Sequence, residues 1–266
     1  MTSYLAPDAM RARRFKTART VLALMLREMS TTYGRSPGGY LWAVLEPVGA
    51  IAVLSFGFSL LVRNPALGTS FILFFATGFL PFGMYNVLAN TIARSLRFSR
   101  ALLAYPGVTP VDAILARFFL NALTQMMVFY LVIAGILILF DTRTILDFPP
   151  ILLSLLMSAL LGLAVGTMNC VLLGLFPIWE QIWSIVNRPL FLASGILFLL
   201  EDLPPLAQSI LWFNPLVHIT GIMRTGFYST YDAAYASPVY VFALSAVLMF
   251  FGLLLLRRYD RIILNQ

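Results

Sequence analysis

Long apolar runs separated by short polar stretches dominate the chain, and their spacing predicts six membrane-crossing helices over roughly 41–62, 70–92, 116–140, 150–174, 178–200 and 239–256. Each run reaches or approaches the ~20 residues that an α-helix needs to cross ~30 Å of hydrocarbon. Residues 19–33 carry a different pattern. Leu22, Met25, Leu26 and Met29 recur at helical spacing, with Arg19, Arg27, Glu28 and Ser30 elsewhere. This predicts an amphipathic helix that lies on the membrane, too short and too charged to cross it. Gly34, Pro37, Gly38 and Gly39 then break it and let the chain turn into the first span. Beyond Leu200, two short apolar runs, Leu203–Phe213 and Leu216–Phe227, flank Asn214–Pro215. Runs of about 10–13 residues suit interfacial or re-entrant helices. The expected fold is an all-α integral membrane protein: an N-terminal amphipathic interface helix, six transmembrane helices, and two short re-entrant helices before the last span. The divisions are a cytoplasmic N-terminus over 1–40, a transmembrane domain over 41–256 and a cytoplasmic tail over 257–266.

Composition excludes a soluble alternative. Hydrophobic residues make up 60% and charged residues 11%, against about 25% charged in soluble domains, and the mean hydropathy is +0.88. A soluble fold of this size has no interior large enough to hide six such segments. The net charge of +7 suggests nucleic acid until its placement is considered. Residues 1–40 hold seven basic side chains, the loop after span two holds Arg94, Arg97 and Arg100, and the tail holds Arg257, Arg258 and Arg261. Loops on the other side carry few. The positive-inside rule therefore puts both termini and the 93–115 loop in the cytoplasm, and no nucleic-acid partner is expected. The single cysteine, Cys170, permits no internal disulfide. No apolar run with a cleavage site follows the N-terminal basic residues closely, so no signal peptide is expected.

Several polar side chains fall where they are costly. Glu46, beside Pro47 at the start of span one, is either a helix-start anchor or a partner for a buried arginine. In 93–115 the three arginines alternate with Leu96, Phe98, Leu102, Leu103 and Tyr105; Pro106, Gly107 and Pro110 enforce a turn, and Asp112 caps or begins the helix carrying Arg117. Such a pattern suits a short helix that buries apolar side chains against the protein's own inner face or against a cytoplasmic partner. Ser154, Ser158, Gly162, Gly166, Cys170 and Gly174 recur every fourth residue of span four, a stripe that lets another helix approach closely. Span five carries Trp179, Glu180, Trp183, Asn187 and Arg188, followed by Pro189. An arginine that deep pairs structurally or lines a polar route. His218 and Arg224 are the polar members of the second outer run; a histidine there is a hydrogen-bonding interface residue or a proton relay. The only lysine, Lys16, follows no glycine-rich loop, so a Walker A site is absent. Metal ligation and G-x-S-x-G hydrolase chemistry are equally unsupported. Energy for active transport must come from a partner or a gradient.

Five motifs in order complete the picture: Leu26-Arg27-Glu28 with Tyr33-Gly34; Gly39-Tyr40-Leu41-Trp42-Ala43-Val44-Leu45-Glu46-Pro47; Gly78-Phe79-Leu80-Pro81-Phe82; Arg188-Pro189-Leu190-Phe191 with Ser194-Gly195; and Trp212-Phe213-Asn214-Pro215-Leu216-Val217-His218. Across almost the whole chain the sequence resembles ABC-2 type polysaccharide exporter permeases, and most closely the inner-membrane permease of group 2 capsular polysaccharide export. The resemblance implies a non-catalytic subunit with the ABC-2, or type V exporter, transmembrane fold in the bacterial inner membrane. It pairs with a second copy and with two ATP-binding subunits, which hold ATP and Mg; this chain itself holds no cofactor and no metal. It further implies a periplasmic adaptor or co-polymerase, an outer-membrane polysaccharide export protein and a lipid-linked polysaccharide substrate. By the same resemblance, 95–105 is the coupling helix, with Arg97, Phe98, Leu102, Leu103 and Tyr105 as contacts. The turn around Phe176–Glu180 is a second cytoplasmic contact. The outer pair over 203–228 is a periplasmic gate, with Trp212, Asn214, Pro215, His218 and Arg224. Spans one and five line the channel, where Arg188, Trp179, Trp183, Tyr85 and Glu46 are the candidates. Export of O-antigen, teichoic acid or another glycolipid by the same machinery is the alternative, and a non-transporting membrane scaffold is the remote one.

Overall fold

The computed structural model describes residues 16–30, 38–103, 107–142 and 144–265. Tyr105 and the Tyr33-Gly34 pair lie outside the described residues. The helices are α1 (Lys16–Glu28), α2 (Gly39–Leu61), α3 (Phe71–Ala93), α4 (Ser95–Leu103), α5 (Pro110–Leu139), α6 (Phe148–Leu175), α7 (Trp179–Leu192), α8 (Pro205–Leu211), α9 (Pro215–Thr225) and α10 (Pro238–Asn265), with a 3₁₀ turn at Leu200–Asp202. Among the described residues, α2, α3, α5, α6 and α10 are the five helices long and apolar enough to cross a membrane.

The fifth expected span, 178–200, is a different object. Its helix α7 has 14 residues, about 21 Å at 1.5 Å per residue and short of hydrocarbon thickness. Pro189 lacks an N–H, and the helix ends at Leu192, three residues beyond it. Gly195 follows at φ 76°, a left-handed conformation that a residue without a Cβ adopts freely and that no helix can continue through. Apolar character persists through Leu200, so hydropathy alone joined a short helix to a turn.

At the centre α3 packs against α6, and the small-residue stripe explains why. A Cβ at Gly162 would meet Leu88 Cβ at 2.8 Å and the Tyr85 carbonyl oxygen at 3.0 Å; one at Gly166 would meet Ile92 Cβ at 2.7 Å. The two backbones touch where side chains are missing. Both helices are 67% buried over their most apolar stretches, whereas α2 is 11% buried over its own. One wall of the bundle is thus an apolar helix with little of the chain against it.

Contacts between loops define two ends. At one end lie α1, α4, the α6–α7 turn and the tail of α10: α7's Glu180 meets Arg94 and Arg97, and Ile263 lies over Gly174. At the other, Tyr228 lies against Gly68, and Asp147 N donates to the Gly226 carbonyl at 2.9 Å. The α4 end is where the arginines of 93–100 and the tail gather. Helix α5 begins there with a reciprocal cap: Asp112 N donates to Thr109 Oγ1 at 3.2 Å, and Thr109 N donates to Asp112 Oδ2 at 2.9 Å.

Candidate transport site

Helix α7 runs antiparallel beside α3 and is held to it by long polar side chains. Glu180 receives Arg94 Nη2 at 3.2 Å and Arg97 Nη1 at 3.4 Å. Nearer the middle, Trp183 Nε1 donates to Asn90 Oδ1 at 3.0 Å, and Asn90 Nδ2 and Asn187 Nδ2 both donate to Asn86 Oδ1, at 2.8 and 2.7 Å. Further along, Phe191 packs edge-on against Phe79 and Phe82. Trp179 Nε1 donates to Asn169 Oδ1 of α6 at 3.0 Å. No residue of α7 is buried, and a cleft of ≈ 370 Å³ opens beside the ladder, lined by Asn90, Arg94, Glu180, Trp183, Ser184 and Asn187. Polar groups at this depth are retained where they pair or meet water.

Arg188 sits about two-thirds of the way along α7, exposed, and no carboxylate among the described residues pairs with it. The two expected environments are structural pairing and a polar route; among the described residues of one copy no carboxylate supplies the first. Glu46 is likewise exposed on α2 without an ion pair to a described arginine. Trp179 and Trp183 are half-buried, each anchored through its indole N–H with part of its ring free. Tyr85 corrects the expectation of a stacking platform: it is 3% exposed in the α3–α6 contact, with no face left for a sugar ring. The one-in-four small-residue approach that seats α6 against α3 also draws Tyr85 inward. Asn86 and Asn90 are the residues that sequence reasoning missed. Two amides spaced i, i+4 in an apolar helix were the available signal.

Around α4 the structure gathers a second constellation. Leu96 is buried, Leu102 and Leu103 are half-buried, and Arg97 is exposed, so the helix turns its apolar side to its own chain. Phe98 lies beneath the Arg117 guanidinium, 4.2 Å from ring centroid to Cζ, with Arg27 at 6.0 Å. Arg117 also donates from Nη1 to the Thr91 carbonyl at 2.7 Å and pairs through Nε with Glu28 at 3.1 Å. The pair is about nine-tenths buried, with side-chain exposures of 9% and 10%. Burial lifts the Glu28 carboxyl above its ordinary range even against Arg117. Helix α1 therefore docks on α5 through Val21 and Glu28, while Leu22, Leu26 and Met29 of the expected apolar stripe point away from the protein.

At the far end every gate candidate is engaged. Asn214 caps α9, accepting from Leu216 N at 3.1 Å while its Nδ2 donates to the Ala193 carbonyl at 2.8 Å; Pro215 takes the first helical position. Trp212 Nε1 donates to the Tyr235 carbonyl at 3.2 Å. His218 Nδ1 accepts from Ser237 N at 3.1 Å, so its proton resides on Nε2, which faces the Trp212 carbonyl at 2.7 Å. Both ring nitrogens are occupied by backbone, the arrangement of a structural bridge and not of a proton relay. Burial holds the imidazole below its ordinary range near 6.5. Arg224 is 1% exposed and donates to the Phe198 and Ile196 carbonyls at 2.9 and 3.0 Å, over the ring of Phe74 at 4.2 Å.

Sequence comparison decides the class to which this helical membrane protein belongs. Residues 19–228 match the ABC-2 type transporter family. The chain belongs to that family. It is 29% identical over 247 residues to the polysialic acid transport protein KpsM of Escherichia coli, covering 93% of this chain and 96% of that one. It is 25% identical over 243 residues to the capsule polysaccharide export inner-membrane protein CtrC of Neisseria meningitidis, covering 91% and 92%. A similar protein, BexB of Haemophilus influenzae, is 26% identical over 248 residues with the same coverages. This ABC-2 permease is accordingly a multi-pass, non-catalytic transport subunit related to those export permeases.

Proposed function

We propose that this ABC-2 permease is one half of an ATP-driven channel that exports a lipid-linked capsular polysaccharide across the bacterial inner membrane, with both termini and α4 on the cytoplasmic side. The observation that carries the reading is Arg188: an exposed cation about two-thirds of the way along α7, with no carboxylate partner among the described residues, is well accommodated in a membrane protein where it meets water. A second copy facing the open walls of α2 and α7 would enclose such a water-filled passage. Trp179 and Trp183 present ring faces for sugars, and Arg188 offers charge-assisted hydrogen bonds to acidic sugars or a lipid phosphate. Glu46, near the cytoplasmic start of α2, belongs to the same wall. Near-full-length similarity to capsule and polysialic acid export permeases supports the substrate class.

In this reading α7 and the 193–200 turn together make the sixth crossing. Helix α1 lies in the cytoplasmic interface on Leu22, Leu26 and Met29, and α8 and α9 are the re-entrant periplasmic gate. Helix α4, with Arg97, Phe98, Leu102 and Leu103, and the adjoining Tyr105, couples to two separate ATP-binding subunits. A periplasmic adaptor and an outer-membrane export protein continue the path. Deletion of the gene should leave glycan accumulated inside the cell, and the permease should co-purify with an ATPase of the Walker A type. Normal surface glycan in a clean deletion would sink the proposal.

A further inference from the structure

Beyond Leu192 the Ala193 and Ser194 N–H groups still reach back to the Pro189 and Phe191 carbonyls, but the carbonyls of this segment find partners elsewhere. Ala193 accepts from Asn214 Nδ2 at 2.8 Å, Ser194 from Thr220 Oγ1 at 3.0 Å, and Ile196 and Phe198 from the two terminal nitrogens of Arg224 at 3.0 and 2.9 Å. All three donors belong to α9 or its cap. Thr220 and Arg224, four residues apart, share one face of that helix and Asn214 caps its start, so α9 acts as a rack onto which the end of α7 is hung. The Arg224 guanidinium is fully enclosed, faces carbonyls in place of a carboxylate, and rests on Phe74. Its two terminal nitrogens are bonded to backbone while Nε has no partner, and pulling the end of α7 away would strand the other two as well, at the cost of further unpaired buried donors.

The opposite end of α7 is fastened as well. Glu180 holds Arg94 and Arg97, which border and belong to α4. Between these two fastenings α7 has no buried residue and meets α3 mainly through the tips of long side chains. A helix fixed at both ends and loosely packed along its length is suited to move as a rod.

We infer that Arg224 is a positioning residue that locks α7 to α9, so that displacement of α7 at the α4 end is delivered to the outer helices α8 and α9 at the far end. The inference rests on the ATP-driven transport reading and adds to it the route by which the outer mouth is moved. Asn214 and Thr220 serve the same lock, and Glu180 is its counterpart at the inner end. Gly195, at φ 76°, supplies the bend in a segment whose carbonyls at 193, 194, 196 and 198 face α9 and its cap.

The test uses the complete transporter, two permeases with their ATPase, in lipid. Gln181→Cys at the inner end of α7 and Ser209→Cys on α8, both at exposed positions, carry spin labels in separate preparations, and the distance between the two copies is measured with and without ATP. The native thiol Cys170 is buried and does not compete for label. In the parent protein both distances should shift. Arg224→Met should keep the inner shift and lose the outer one, and Arg224→Lys should restore part of it, since a lysine reaches one carbonyl in place of two. Thr220→Val, which removes a single hydroxyl donor at nearly constant volume, should blunt the outer shift and serves where Arg224→Met does not assemble. Glu180→Arg should abolish the outer shift with the α9 lock untouched. An undiminished outer shift in Arg224→Met, or in Thr220→Val where that variant stands in, overturns the inference while leaving the transport reading intact. No ATP-dependent shift at either position in the parent protein overturns both.

Discussion

Glu28 and Arg117 form a contact whose value depends on both partners. Their charges are nearly out of water, so removing one strands the other, at a cost of about 3–5 kcal/mol, whereas replacing both with apolar or neutral groups comes closer to neutrality. Arg117→Met should therefore lower thermal stability sharply, and Glu28→Gln with Arg117→Met should recover much of the loss in a double-mutant cycle read by melting of the detergent-solubilised protein. A cycle with no coupling would show that the pair is incidental. His218 gives a pH dependence of fixed sign. The folded protein holds the imidazole neutral, below the value near 6.5 of the unfolded chain. Above 6.5 both states are neutral and the contribution is complete. As pH falls below that value, the unfolded chain takes up a proton that the folded one refuses, and stability declines. Thermal melts from pH 7.5 to 5.5 should show this decline, and His218→Gln should flatten it. Neither role was legible from residue type: Glu28 read only as a residue off the apolar stripe of α1, and His218 stood between a bridge and a relay until its two backbone partners were placed.

At the scale of elements, the stripe on α6 and the cap on α5 were both readable because each depends on neighbours close in sequence. The stripe's partner was not, since which helix fills a groove is a question of tertiary arrangement. With Leu88 Cβ at 2.8 Å from a Cβ at Gly162, Gly162→Leu forces α3 and α6 apart. Overpacking of that kind costs about 1–3 kcal/mol or more. The expected outcome is a lower melting temperature and reduced insertion-competent protein, whereas Ser158→Ala one turn away should be milder; equal behaviour of the two would contradict the close approach. Helix α7 shows the converse limit. Its apolar run read as a full span because hydropathy does not register hydrogen bonding, and the left-handed turn at Gly195 is stabilised by donors from α9 that arrive 26 to 28 residues later in the chain. The amides Asn86 and Asn90 were overlooked for a related reason: within α3 they pair with each other, and only the placement of α7 adds Trp183 and Asn187 to that pair.

For the whole molecule, the exposed walls of α2 and α7 leave Arg188 as the most direct probe of transport. Arg188→Leu should assemble with the ATPase at normal levels yet cut export of polysaccharide, measured as surface glycan against intracellular glycan, because it removes the charge without touching a packed neighbour. Unimpaired export would favour the scaffold reading. What the sequence by itself determined is the solvent, the helical class and the family, since these follow from summed hydropathy and local order of motifs. Only the tertiary structure decided that the fifth apolar run is a short helix and a turn, that Tyr85 is core, that Glu28 is buried against Arg117, and that Arg224 holds the end of α7. Each of those depends on a partner distant in the chain. Burial and hydrogen bonding between distant residues carry energies as large as those of any local pattern, and leave no periodic trace in the sequence.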